Sequence, residues 1–452
     1  MYTFPGEKCS GLIREKRFCY NTGVKDKQSI ALVSLGCAKN AVDLQVRAGN
    51  LLKGGCSLSS DPDRADVVIV NTCAFIESAR EEAEAEIVRA LELKRRGQYK
   101  RVVVTGCYPE RYPQAKAAFP GVDEWIGVPH EWVEPKMPAL RLTGKAFAYL
   151  KIAEGCAHRC AYCAIPSIRG KYRSRPMSAI LREARALVKT GCRELNVVAQ
   201  DPMLWREERK EEKGKRKKEG DVKTLPDLLW ALDRIKGDFW VRVLYSYPSE
   251  ITEDFLVWMM TSKHAVRYVD VPIQHTVPAV LEKMNRKPAI EQSRCAADVL
   301  REVIPDITVR TTVMTGFPGE TESRFNELMA DLKRMQFDHL GAFAYSPEEG
   351  TKGAALKGRP PAAVARERER LVMEQQKRIW KLKAKRMLGQ TFRALVVAPG
   401  VARMASQAPD VDGVVWIVKS EKGKEKSAEV GEFVHVRLTR TKGFDFEGEV
   451  VG

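Results

Sequence analysis

Residues 154–175 read EGCAHRCAYCAIPSIRGKYRSR and follow a short apolar run at 147–152. That run is the first of six. Further strand-like stretches lie at 194–199, 240–246, 268–273, 308–314 and 339–344, with helical patterns between them. Strands alternating with helices predict a parallel sheet. Six such units make a partial (βα)6 barrel, whose site lies at the C-terminal ends of the strands. The quoted loop occupies the first of those ends.

The loop carries Cys156, Cys160 and Cys163 in the spacing C-x-x-x-C-x-x-C. Three thiolates can hold three irons of a cubane cluster, leaving the fourth iron open to a small molecule. The bland alternative is a structural zinc with His158 as fourth ligand. That histidine lies two residues from Cys156 and two from Cys160, an awkward spacing for a tetrahedral site.

Upstream, residues 29–140 form a second alternating unit. Strand candidates at 30–35, 66–70, 101–105 and 124–127 are separated by helix candidates at 42–53, 76–96 and 110–119. Cys37, Cys73 and Cys107 each follow one of these strands, 36 and 34 residues apart. Neighbouring parallel strands bring their C-terminal ends to one sheet edge, where α/β sheets bind ligands. The alternative is three independent buried cysteines, which are common in cores. Cys9, Cys19, Cys56, Cys192 and Cys295 show no pattern.

The expected organisation is α/β and multidomain. It comprises a polar leader (1–28), an N-terminal parallel α/β domain (29–140), the central barrel (141–361), a helical linker (362–388) and a small antiparallel β-barrel (389–452). Pro129, Pro135 and Pro138 mark the first boundary. The segment 205–223 mixes both charge signs and reads as a surface insertion with no assigned chemistry.

At 452 residues with 44% apolar content, each domain has material for its own core. No window approaches 18 uncharged apolar residues and no secretory leader is evident, so a soluble, cytoplasmic protein is expected, without membrane contact. Its eleven cysteines then read as ligands before disulfides. The net charge of +17 invites a nucleic-acid reading. Its distribution shows that charge alone does not establish that reading. Residues 362–388 hold nine Lys or Arg against three Glu, as a solvated helix face would, and residues 389–452 hold nine of each sign.

The first triad resembles the signature of the radical S-adenosylmethionine superfamily, with Tyr162 as the aromatic before its last cysteine. The resemblance implies an open iron that binds S-adenosylmethionine and a radical able to abstract hydrogen from unactivated carbon. The two triads together, followed by a small C-terminal β-domain of the type called TRAM, resemble the methylthiotransferases from about Gln28 onward. That family implies two 4Fe-4S clusters, the second on Cys37, Cys73 and Cys107 and carrying the sulfur that is methylated and transferred. Two S-adenosylmethionine molecules would be used, one as methyl donor and one as radical source.

Ala38-Lys39-Asn40, Ala74-Phe75-Ile76 and Ile165-Pro166-Ser167 with Arg169-Gly170 resemble the branch that modifies an aspartate β-carbon in the decoding-centre protein of the small ribosomal subunit. The partners implied are that ribosomal protein and a reducing electron-transfer protein, with the sulfur donor unnamed. The alternatives are a tRNA methylthiotransferase acting on a modified adenosine, which fits less well though the basic helix at 362–388 supports it, and a noncatalytic ribosome- or RNA-binding protein whose cysteines hold a structural metal. Residues 313–320, including Gly316 and Phe317, resemble the segment packed on the adenine, and 268–275, ending at Gln274-His275, resembles a strand near the cofactor. An ordinary strand-to-helix turn and a core histidine are the alternatives there. Thr276-Val277-Pro278, residues 285–288 and Pro202 depart from the family pattern. Arg169, Lys171, Arg173 and Arg175 are expected to flank the mouth of the site, or to lie on a solvated loop.

Overall fold

The computed structural model describes residues 28–129, 141–208, 222–418 and 428–451. The leader before Gln28, Pro135, Pro138, Cys9, Cys19 and the middle of the charged insertion lie outside them.

Val- and Ile-rich runs buried on both faces build the first sheet, as a parallel strand covered by helices requires. Its strands are β1 (Ser29–Ser34), β2 (Ser57–Leu58), β3 (Ala65–Thr72), β4 (Tyr99–Gly106) and β5 (Glu124–Ile126). All pair in parallel in the order β2-β1-β3-β4-β5. The helices Ala38–Lys53 and Glu77–Arg95 follow β1 and β3. The helix expected at 110–119 is instead a five-residue helix, Cys107–Arg111, and a 3-10 turn, Pro113–Ala117. Pro113 has no N–H to continue the first and opens the second.

The central domain starts with β6 (Phe147–Lys151). A two-stranded arm follows, β7 (Ala153–Glu154) against β8 (Arg173–Ser174). Next come β9 (Glu194–Val198), the hairpin β10 (Arg206–Glu208) and β11 (Val222–Thr224), then β12 (Trp240–Val243), β13 (Ala265–Asp270), β14 (Thr308–Thr315) and β15 (His339–Ala344). Strands β6, β9, β12, β13, β14 and β15 form one parallel sheet in chain order, the open-barrel arrangement. Trp205, expected on a surface insertion, is fully buried, its indole N–H donating to the Arg175 carbonyl at 3.0 Å. The hairpin that follows it supplies the exposed flanks of the insertion.

The helix Ala362–Met387 packs on β15 and β14 through Ala365, Val372, Gln376 and Ile379. It leads into a closed barrel of β16 (Thr391–Ala398), β17 (Val401–Met404), β18 (Val415–Ile417), β19 (Phe433–Lys442) and β20 (Asp445–Val451). Four of its ladders are antiparallel and the β18–β20 ladder is parallel. Among the described residues, no helix is long and apolar enough to cross a membrane.

Candidate functional site

Cys37, Cys73 and Cys107 stand just past the ends of β1, β3 and β4, three adjacent strands. Two glycines permit their approach. Gly36 has φ +87°, and a Cβ there would sit 2.7 Å from Cβ of Cys73. Gly106 has φ +100°, and a Cβ would sit 2.5 Å from the Thr72 carbonyl oxygen. Asn40 Nδ2 donates to the carbonyls of Leu35 at 2.9 Å and Thr72 at 3.0 Å, bracing the turns that carry Cys37 and Cys73.

Burial pushes the Cys73 thiol up to about 12, and the thiols of Cys107 and Cys37 add to the shift. Burial likewise raises Cys107 to about 11, against the pull of Arg169. Cys37 behaves differently. Burial alone would raise it, but Lys39, Arg169 and the N–H groups opening the helix after it bring it below its ordinary value.

Cys156, Cys160 and Cys163 lie between β7 and the short helix Ile165–Arg169. Their loop is pinned from three sides. Ala161 N–H donates to Met284 O at 2.8 Å, Gly353 N–H to Ala161 O at 2.6 Å, and Asn285 Nδ2 to Arg159 O at 2.8 Å. Burial, followed by the thiol of Cys160, drives Cys163 up to about 12; Cys156 rises to about 11, mainly through burial. Thiols that resist ionising, as Cys156 and Cys163 do, gain from a multivalent cation beside them.

His158 does not join this triad. Its Nε2 lies 2.6 Å from Asp201 Oδ2 and its ring stacks on Tyr247 with centroids 3.8 Å apart. Among the described residues, no three His, Cys, Asp or Glu side chains are arranged to hold a single metal ion.

Arg169 joins the two triads. Its Nη2 lies 3.3 Å from Sγ of Cys107 and 3.2 Å from Oδ1 of Asn40, while Nη1 reaches Asp43 at 2.6 Å and Glu154 at 3.2 Å. Lys151 shares both carboxylates. The expectation that Arg169 and Arg175 flank an open mouth is therefore corrected. Arg169 is 1% exposed, and Arg175 is 5% exposed and paired with Glu183. The β7–β8 arm folds the chain back and carries these guanidinium groups to the N-terminal domain. Arg173 and Arg175 line a cavity of about 350 Å³ there, with Asp43, Arg47, Lys151 and Glu154.

Tyr162 is partly buried with its ring edge-on to Phe317, centroids 6.3 Å apart. Gln274 has φ +67°, and its buried Oε1 has no hydrogen-bond partner. Ser246 Oγ and Thr276 Oγ1 are orphaned in the same way, past the ends of β12 and β13. Gly316 is required by packing, since a Cβ at its φ of +75° would sit 2.2 Å from Cβ of Ala365. Glu320 lies just before the helix Glu322–Met335, accepting from Gly316 N–H at 2.9 Å and pairing with Arg368 and His275. His275 is thus a satisfied core histidine.

Sequence reasoning missed Arg286, which is 2% exposed and lies in the segment that departs from the family pattern. Its Nη1 lies 3.8 Å from Cys160 Sγ and 3.3 Å from the Tyr162 hydroxyl, and Nη2 donates to Pro272 O at 2.8 Å. No local signal in residues 285–288 places it beside the cysteine loop. Asp43, Tyr245 and Tyr247 were also missed.

The sequence matches the radical SAM superfamily over residues 150–332, the uncharacterized protein family UPF0004 over 29–127 and the TRAM domain over 389–451. Two similar proteins carry the name ribosomal protein uS12 methylthiotransferase RimO. The one from Moorella thermoacetica is 40% identical, covering 93% of this chain and 99% of that protein. The one from Desulfitobacterium hafniense is 35% identical, covering 94% and 99%. Among solved structures, the radical S-adenosylmethionine methyltransferase TsrM from Kitasatospora setae, with tryptophan and a SAM analog bound, aligns with a TM-score of 0.50. That alignment covers 70% of this chain and 72% of the other at 16% identity, a likeness of fold.

Proposed function

Because this chain belongs to the RimO family of ribosomal protein uS12 methylthiotransferases, we propose that it methylthiolates the β-carbon of an aspartate in that decoding-centre protein. The observation that carries this reading is the pair of cysteine triads on facing domains, tied by Arg169. We assign a 4Fe-4S cluster to Cys156, Cys160 and Cys163 and a second to Cys37, Cys73 and Cys107. The donor sets fit. Each is a set of three cysteine thiols, with Arg286 beside one triad and Arg169 beside the other to offset thiolate charge.

The orphaned oxygens of Ser246, Gln274 and Thr276 suit a polar cofactor at the barrel's open end, and we place S-adenosylmethionine there beside Tyr162, Gln274, Gly316 and Phe317. Bound cluster and S-adenosylmethionine supply the radical hydrogen abstraction that no side chain provides. The protein's own share is positioning. Arg286 and Tyr162 hold the radical loop, Asn40 braces the opposite turns, and the buried ion network fixes one domain against the other.

The neutral C-terminal domain favours a protein substrate. Arg393 pairs with Asp238 and Arg403 with Glu194, so part of its positive charge serves docking within the chain. In the linker helix Arg368 pairs with Glu320, while Arg370 pairs with Glu367 and Glu374 of the same helix. Arg366, Lys377, Arg378, Lys381, Lys385 and Arg386 stay exposed on that helix, so the preference for a protein rests on the balanced charge of the C-terminal domain and on the family. We place the enzyme in the cytoplasm with a reducing electron-transfer protein as partner.

The test offers the anaerobically reconstituted enzyme a peptide bearing the target aspartate loop and a tRNA with a modified adenosine. A gain of about 46 mass units on the peptide, a methylthio group replacing hydrogen, supports the reading. Modification of the tRNA alone contradicts it.

A further inference from the structure

Lys39 is the second residue of the helix Ala38–Lys53 and is 8% exposed. Its ammonium lies 3.4 Å from the centroid of the Tyr245 ring. Among the described residues it makes neither an ion pair nor a hydrogen bond. The buried cations around it are better served. Arg169 and Lys151 share Asp43 and Glu154, and Arg310 has Asp270 and Asp412. Of the groups that could balance its charge, the Cys37 thiol acts on it most strongly, followed by Asp270 and Glu154, and those two carboxylates are each engaged by another cation. A buried charge without a partner is costly, and an aromatic face offsets only part of that cost.

The position of Lys39 indicates what the charge is for. It follows Cys37 by two residues, and Tyr245 lies just past β12 at φ +71°, a strained conformation of the kind concentrated at functional sites. Ser246, with its orphaned hydroxyl, is the next residue. The ammonium therefore stands between the auxiliary triad and the ligand end of the barrel. It has three donors, and a ring against one side leaves others free.

We propose that Lys39 is the counter-ion for the side-chain carboxylate of the substrate aspartate, and so determines specificity for an acidic residue. This rests on the function proposed above and names the group that recognises its substrate. The carboxylate carbon is bonded directly to the reacting β-carbon. A cation fixed on the carboxylate consequently places that carbon and leaves a neutral asparagine without its main attraction.

The test measures binding of two peptides, with aspartate or asparagine at the target position, to the reconstituted protein and to its K39M, K39Q and K39R variants. The unaltered enzyme is expected to prefer the aspartate peptide by roughly thirtyfold. K39M and K39Q lose that preference while keeping their affinity for the asparagine peptide, and K39R keeps part of it. K39M should melt no lower than the parent, because it replaces an unpaired buried cation with an apolar side chain of similar length. Retained discrimination in K39M and K39Q overturns the proposal. So does an altered spectrum of the auxiliary centre with discrimination intact, which would make Lys39 that centre's counter-ion. If the unaltered enzyme binds and modifies neither peptide, the proposed function itself fails, and Lys39 has no carboxylate to hold.

Discussion

Nη2 of Arg169 lies 3.3 Å from Sγ of Cys107, so a residue six positions after Cys163 of one triad touches a thiol of the other. The same guanidinium reaches Asp43 and Glu154, residues of the two facing domains. One side chain couples the cysteine loops to the packing of the domains that carry them.

Replacing Arg169 by Met leaves Asp43 and Glu154 with Lys151 as their remaining ion-pair partner among the described residues, and removal of one partner from such a network costs about 3 to 5 kcal/mol. Urea unfolding of the R169M protein should show a loss of that size. R169K should recover part of it, yet shift the reduction potential of the centre on Cys37, Cys73 and Cys107 to more negative values, because a donor to sulfur is lost. An unchanged potential in R169K would mean that the contact with Cys107 carries no electronic role.

Changing Cys37, Cys73 and Cys107 together to alanine should leave reductive cleavage of S-adenosylmethionine running while methylthio transfer stops. Product analysis for 5′-deoxyadenosine and for modified peptide separates the two activities. Loss of cleavage with the first centre intact would mean that the roles are misassigned.

Acid should loosen the seat of the C-terminal barrel. Glu194 is fully buried between Arg242, at 2.8 Å, and Arg403. Burial alone would raise its carboxyl, but Arg403 and then Arg242 outweigh that and hold it below the ordinary glutamate value. Its folded value is depressed, so its contribution is fully present above the unfolded value of about 4.3 and is lost as pH falls below it. Melting followed from pH 7 to pH 3 should therefore show an acid-limb decline that is reduced in E194Q, which is less stable than the parent at pH 7.

The sheets and both triads were legible because a parallel strand buried on two faces is a nearly continuous apolar run, and each cysteine follows one. The contacts that join the domains were not. Arg169 and Asp43 are 126 residues apart, and no local pattern distinguishes a cation that will be buried from one that will be solvated. The departing segment at 285–288 concealed Arg286 for the same reason. Charge counting over 389–452 could not reveal that Arg393 and Arg403 are committed to Asp238 and Glu194.

The central claim is that six cysteines hold two iron-sulfur clusters, and the most direct measurement is iron and acid-labile sulfide per chain after anaerobic reconstitution. About eight irons and eight sulfides are expected, falling to about four of each when Cys156, Cys160 and Cys163 are replaced together. A reconstituted protein that holds only zinc, or whose iron is unchanged by that replacement, would contradict it.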